Sequence, residues 1–246
     1  KFWNPAWTAG CQGLLEFRAL ESLPHHQWTS AVALLWRALA VRLLDPAKRP
    51  PSLKPWGEGL SDRAMLPSEL WSDLEQVLAD LAADGLPLDP EPFRAIWAWR
   101  FPVLLDWHDG EATLTIRQAL EPWPLLCDTP VEGGSTSRFV DSSLRRFEVI
   151  TNPAFRQRYQ LQLQGRVLPL PSEGPRAVRF RQEALFPCLH PCLPNAVPLR
   201  LDLLKADQAA AQQSWQLWSE SSGFEALTEA RTEADPESAA GPAMRG

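Results

Sequence analysis

At 246 residues, 45% of them hydrophobic, the chain is long enough for one large or two small domains with a substantial core. A formal net charge of -6, with no Lys/Arg cluster interleaved with aromatics, excludes a nucleic-acid surface. No apolar run is long enough to span a bilayer and no basic, apolar-cored leader precedes the first predicted strand, so neither nucleic acid nor membrane is expected as a partner and the protein is expected to be cytoplasmic.

Lys1 to Gly10 holds Phe2, Trp3 and Trp7 around Asn4-Pro5 and reads as an aromatic-anchored loop. It leads into Gly13-Leu14-Leu15-Glu16-Phe17-Arg18-Ala19-Leu20-Glu21, an apolar run interrupted by charge that predicts a strand. Side chains alternate between faces in a strand, so Glu16 and Arg18 share one face while Leu15, Phe17 and Ala19 share the other. A carboxylate and a guanidinium are expensive in an apolar sheet unless each has a partner. Glu16 therefore suits a metal ligand and Arg18 an anion clamp. Equally, the strand could have one solvated face, with Glu16 and Arg18 paired to each other or to neighbouring strands.

Ser22 to His26 breaks the strand, and a helix is predicted from about Gln27 to Leu44. Its apolar residues, among them Trp28, Val32, Leu35, Leu39 and Leu43, occupy most of the circumference, so it is expected to be buried against Leu15, Phe17 and Ala19. Asp45-Pro46 ends it. Lys48 to Leu60 is rich in Pro and Gly and predicts a loop, too poor in glycine for a phosphate-binding one. Asp62 and Arg63 read equally as ties from that loop to helix ends and as substrate contacts.

A second helix is predicted over Pro67 to Asp84, stopped by Gly85, and a short third one after the cap pair Asp89-Pro90. The acidic stripe of the second helix, Glu69, Asp73, Glu75 and Asp80, reads as a solvated face. Val103 to Trp107 and Ala112 to Ile116 flank His108-Asp109-Gly110-Glu111, a hairpin signal. The hairpin delivers Arg117 and Glu121, which read as a structural ion pair or as functional groups at a sheet exit.

From Gly133 the texture changes to short strands, predicted at 137–140, 147–150, 159–164, 178–180 and 197–203, which suggest a small antiparallel sandwich or barrel. A last helix is predicted from Asp207 to Trp218, and Ser219 to Gly246 is expected to be disordered. The four cysteines are too sparse for a disulfide framework. Cys188-Leu189-His190-Pro191-Cys192 offers zinc-type ligands but no second ligand pair, so reduced thiols are expected.

The run Gly13 to Glu21, followed by Pro24-His25, resembles the C-terminal part of a bacterial amidoligase family found fused to transglutaminase-like domains. The likeness continues in order through Arg37-Ala38-Leu39, Trp56-Gly57, Asp62-Arg63, Met65-Leu66-Pro67, Arg100-Phe101-Pro102, Arg117-Gln118-Ala119-Leu120-Glu121-Pro122-Trp123, Val140-Asp141-Ser142-Ser143 and Leu189-His190-Pro191. It covers about Trp3 to Leu203, with departures at Ser22-Leu23 and Ser61. The resemblance implies an ATP-dependent carboxylate–amine ligase of a glutamine synthetase-like superfamily, working through an acyl phosphate. It implies Glu16 as a magnesium ligand, Arg18 as a phosphate or acyl-phosphate stabiliser, Glu21 as a neighbouring or substrate-contacting acid, and His25 and Arg117 as further contacts, Arg117 on the nucleotide side. It also implies ATP and Mg2+ as cofactors, amino-acid or peptide carboxylates and amines as substrates, and an upstream transglutaminase-like or ligase segment of the same protein as partner.

The expected fold is thus α+β. Residues 1–132 form the C-terminal portion of an antiparallel-sheet ligase domain with covering helices, 133–204 a small β-sandwich, and 205–246 a helical then disordered tail. The alternative function is a noncatalytic accessory or peptide-binding module that braces a transglutaminase-like protein.

Overall fold

The structure, a computed structural model, describes residues 20–121, 144–181, 198–208, 210–218 and 221–227 in full, and 125–131 and 135–140 as backbone. The fold is α+β with antiparallel sheets, as expected. Two compact units divide the chain, Lys1–Pro51 with Val77–Ile96 and Ser52–Gln76 with Trp97–Gly246.

In the first unit, helix α1 spans His26–Leu44 and stops where Asp45, extended before Pro46, turns its carboxylate back to accept from the Ala47 N–H at 2.9 Å. Ala38 is its one buried residue among those described, while Leu34, Val41 and Leu44 are 53%, 54% and 74% exposed. The expectation of a buried helix is corrected. An apolar arc that runs most of the way round cannot be covered by packing on one side. The unit also holds the end of helix α2 (Pro67–Ala83), where Arg42 and Lys48 both reach Asp84 and Leu78 and Leu81 are buried. Gly85, at φ +80°, closes α2 with the Leu86 N–H on the Leu81 carbonyl at 2.9 Å. Helix α3 (Glu91–Arg100) starts where the Glu91 N–H meets Asp89 Oδ1 at 3.0 Å.

The second unit begins with a π-helical turn, Leu60–Ala64, ahead of α2. Strands β1 (Val103–Asp109) and β2 (Ala112–Ala119) form the expected hairpin, Asp109 opposite Ala112. Gly110, at φ +59°, is the first residue of its two-residue loop, the position where glycine alone is unstrained. Strand β3 (Leu125–Val131) pairs with β4 (Ser135–Val140) as a separate two-stranded ribbon. Strand β5 (Leu144–Thr151) joins β2, and helix α4 (Pro153–Arg158), capped by the Asn152 side chain on the Phe155 N–H, carries the chain to a second sheet.

That sheet contains β6 (Tyr159–Leu163), β7 (Arg166–Val167), β9 (Leu199–Lys205), β10 (Ala211–Leu217) and β11 (Glu225–Ala226), in the order β11-β10-β9-β6-β7. Strand β8 (Arg176–Arg181) returns to the first sheet, whose order is β1-β2-β5-β8. One core lies between them: Leu114, Ile116, Phe147, Val149, Val178 and Phe180 from the first sheet meet Leu161, Leu201, Leu203, Trp215 and Leu217 from the second. The strands expected to make a sandwich from Gly133 onward therefore share a core with the hairpin at Val103–Ala119.

Two further expectations are corrected. The predicted last helix is strand β10, because Trp215 and Leu217, two residues apart, fill the sandwich core, and that packing overrides the helix preference of the surrounding Ala and Gln. Part of the stretch expected to be disordered is ordered too. Phe224 packs on the core and its N–H bonds the Leu104 carbonyl at 2.8 Å, which places β11 beside β10. Positions 228–246 lie outside the described residues, as do Cys11, Cys188, His190 and Cys192 and the Cys127 side chain.

Candidate functional site

Alternation along β5 sends Phe147 and Val149 into the sandwich core and Arg146 and Glu148 to the other face of the sheet. An outward face of this kind is ordinarily wet. Here Arg146 is 3% and Glu148 0% exposed, because residues from the Leu60–Ala64 turn and the first turn of α2 lie over them. The register lines up two rows on this face. Arg117, Glu148 and Ala177 stand opposite one another in the first, and Ala119, Arg146 and Arg179 in the second.

Glu148 sits against the start of α2, where backbone N–H groups have no partner inside the helix. The Ser68 N–H and hydroxyl both donate to its Oε2, at 3.1 and 2.9 Å, while Oε1 is buried with no hydrogen bond. Burial pushes the Glu148 carboxyl above the ordinary carboxylate range, and the two Ser68 donors and the charge of Arg117 pull it part of the way back. Arg117 lies with its guanidinium 4.1 Å from the Trp97 ring and donates from Nη1 to the Phe101 carbonyl at 2.5 Å. Burial lowers its pKa, opposed by Glu148 and Asp106.

In the second row, Arg146 donates from Nη2 to the Asp62 carbonyl at 3.0 Å, and its Nη1 is buried without a hydrogen-bond partner. Burial pulls this guanidinium's pKa down too, with Glu121 opposing. Glu121 is held by Arg179 Nε at 2.6 Å. The expected Arg117–Glu121 pairing is thus replaced. Arg117 turns to Trp97 and Phe101, and Glu121 is engaged by Arg179 from the far strand. Beside this row opens a cavity of about 530 Å³, lined by Asp62, Arg146, Arg176 and Arg179 and walled by residues of the proline-rich loop before β8.

Several segments that carry the family resemblance meet here. Trp97 Nε1 donates to the Pro67 carbonyl at 2.7 Å, Arg117 holds Phe101, Arg146 holds Asp62, and Leu66 and Phe101 are buried. Over residues 1–218 the chain matches the family model described as "Putative amidoligase enzyme (DUF2126)". The chain belongs to this amidoligase family. No curated protein and no solved structure matches it.

In this amidoligase-family chain one of the residues singled out from sequence, Arg117, stands in the first row. Glu16 and Arg18 lie outside the described residues. Glu21 is exposed ahead of α1, and His25 stands at the residue before that helix, its side chain making no capping bond and its ring edge-on to Trp28, centroids 4.9 Å apart. Among the described residues no three or more His, Cys, Asp or Glu side chains converge as a metal ligand group. Sequence reasoning missed Arg146, Glu148 and Ser68. The signal was present, since Arg146-x-Glu148 repeats the spacing that drew attention to Glu16-x-Arg18.

Proposed function

We propose that the protein is an ATP-dependent carboxylate–amine ligase that activates a carboxylate as an acyl phosphate, which an amine then attacks. The observation that carries this reading is the family match along residues 1–218. Supporting it, segments of the family pattern distant in sequence are gathered on one charged sheet face. In the proposal Glu16 is a magnesium ligand, Arg18 stabilises transferring phosphoryl oxygens, and Glu21 contacts the substrate or the metal's water. Arg117 adds cationic charge toward the nucleotide through nitrogens that Phe101 does not take.

Bound metal would supply, together with the Arg18 and Arg117 guanidinium groups, the positive charge that neutralises the phosphoryl oxygens. The donor chemistry of Arg117 fits a phosphate, whereas the described residues offer no magnesium ligand set and Glu16 would have to provide one outside them. A transglutaminase-like segment as partner, and amino-acid or peptide carboxylates and amines as substrates, complete the reading.

The test is Glu16→Ala in the full-length natural protein, read as magnesium-dependent ATP turnover beside far-UV circular dichroism. Turnover should fall at least about a hundredfold with the spectrum unchanged. Unaltered turnover overturns the assignment of Glu16, and absence of turnover in the unsubstituted protein favours the accessory-module alternative.

A further inference from the structure

The geometry points to the cavity beside Arg146 as a binding site for a small organic oxyanion, a phosphate ester or a carboxylate carried on an apolar body. Three guanidinium groups, Arg146, Arg176 and Arg179, line it against one carboxylate, that of Asp62, so its wall has an excess of positive charge. Arg179 is shared with Glu121, and Arg176 is exposed on β8. Arg146 is the anchor. It is 3% exposed, fixed at Nη2 by the Asp62 carbonyl, and has an unpartnered Nη1.

Arg146 Nη1 is itself sealed from water, so an oxyanion in the cavity meets the combined charge of the guanidinium groups that line it, and a fixed guanidinium suits an oxyanion better than a mobile ammonium would. The opposite wall has a different chemistry. Pro169, Leu170, Pro171 and Pro175 offer apolar surface, and the prolines contribute no N–H that would compete for the anion. Leu170 packs on the sandwich core and Arg156 holds the Ser172 carbonyl at 2.8 Å, so the loop is anchored from both sides. At about 530 Å³ the cavity is far larger than an inorganic anion and falls in the range of small-molecule sites. The anionic end belongs at Arg146 and the apolar body on the proline wall.

This inference does not rest on the ligase reading, since binding is measured without turnover. Isothermal titration of the full chain with phenyl phosphate, benzoate and inorganic phosphate separates the two anion sources and the role of the apolar body. One ring-bearing probe should bind, with the tighter of the two naming the anion, and inorganic phosphate should bind at least about tenfold more weakly. Arg146→Gln should weaken the ring-bearing probe at least about tenfold. Arg176→Gln, on an exposed position, should weaken it a few-fold at an unchanged melting temperature, which keeps the test decisive if Arg146→Gln unfolds. No binding by either ring-bearing probe, or binding that every folded variant leaves intact, overturns the site.

Discussion

At the scale of single residues, the same i, i+2 pairing of opposite charges has two outcomes in this molecule. On β9, Arg200 folds back on its own strand, its Nε within 2.9 and 3.0 Å of the two Asp202 oxygens, and the Ser214 hydroxyl donates to the same carboxylate. That pair satisfies itself and needs nothing more. On β5, Arg146 and Glu148 look away from each other to Asp62 and Ser68, and each keeps one buried atom without a partner. Spacing alone therefore does not separate a structural pair from an open one; the cover laid over the strand does. Glu148 gives a signed prediction. Its folded-state pKa is raised above the ordinary value of 4.5, so the folded protein holds that proton more firmly than the unfolded chain does. Its contribution is fully present below about pH 4.5 and is lost as pH rises through the folded value. Glu148→Gln keeps an acceptor for Ser68 and removes the titration, so the gap in melting temperature between variant and wild type should widen in the variant's favour as pH rises from 4.5 toward neutrality. Parallel melting profiles would show that Glu148 does not titrate anomalously.

At the scale of elements, local signals identified those whose shape is decided locally. Asp109-Gly110 announced the β1–β2 hairpin, Gly85 the end of α2, and Asp89-Pro90 the start of α3. Where tertiary packing decides, local preference misled, as in β10, whose Ala and Gln favour a helix while Trp215 and Leu217 are claimed by the core. The segment leading into β11 was read as too polar to order. It is fixed instead by one close backbone approach: a Cβ added at Gly223 would stand 2.7 Å from the Leu104 carbonyl oxygen, beside the Phe224 bond that joins β1 to the approach of β11. Gly223→Ala should accordingly destabilise the protein by about 1–3 kcal/mol in a urea titration. Because the clash is with backbone, the obstruction cannot be relieved by a side-chain rotation. A stability equal to wild type would mean that this contact is not made in solution.

At the scale of the molecule, the α+β class and the amidoligase family were legible in the sequence, the family through many short motifs in one order. What could not be read was which of those motifs touch. Asp62, Pro67, Phe101 and Arg117 are spread over 56 positions, and only the pairing of β2, β5 and β8 shows that they surround the Arg146 and Glu148 rows. Glu16 and Arg18, which carry the proposed chemistry, lie outside the described residues and are reached by experiment instead. Acyl-phosphate chemistry can be caught with hydroxylamine as the amine. The full-length natural protein is incubated with magnesium, ATP and a panel of amino-acid and peptide carboxylates, and hydroxamate, ADP and phosphate are quantified together. Hydroxamate formed from at least one carboxylate in equal amounts with ADP and phosphate is the outcome a ligase of this kind requires. Release of AMP and pyrophosphate, or no hydroxamate from any carboxylate of the panel, contradicts it.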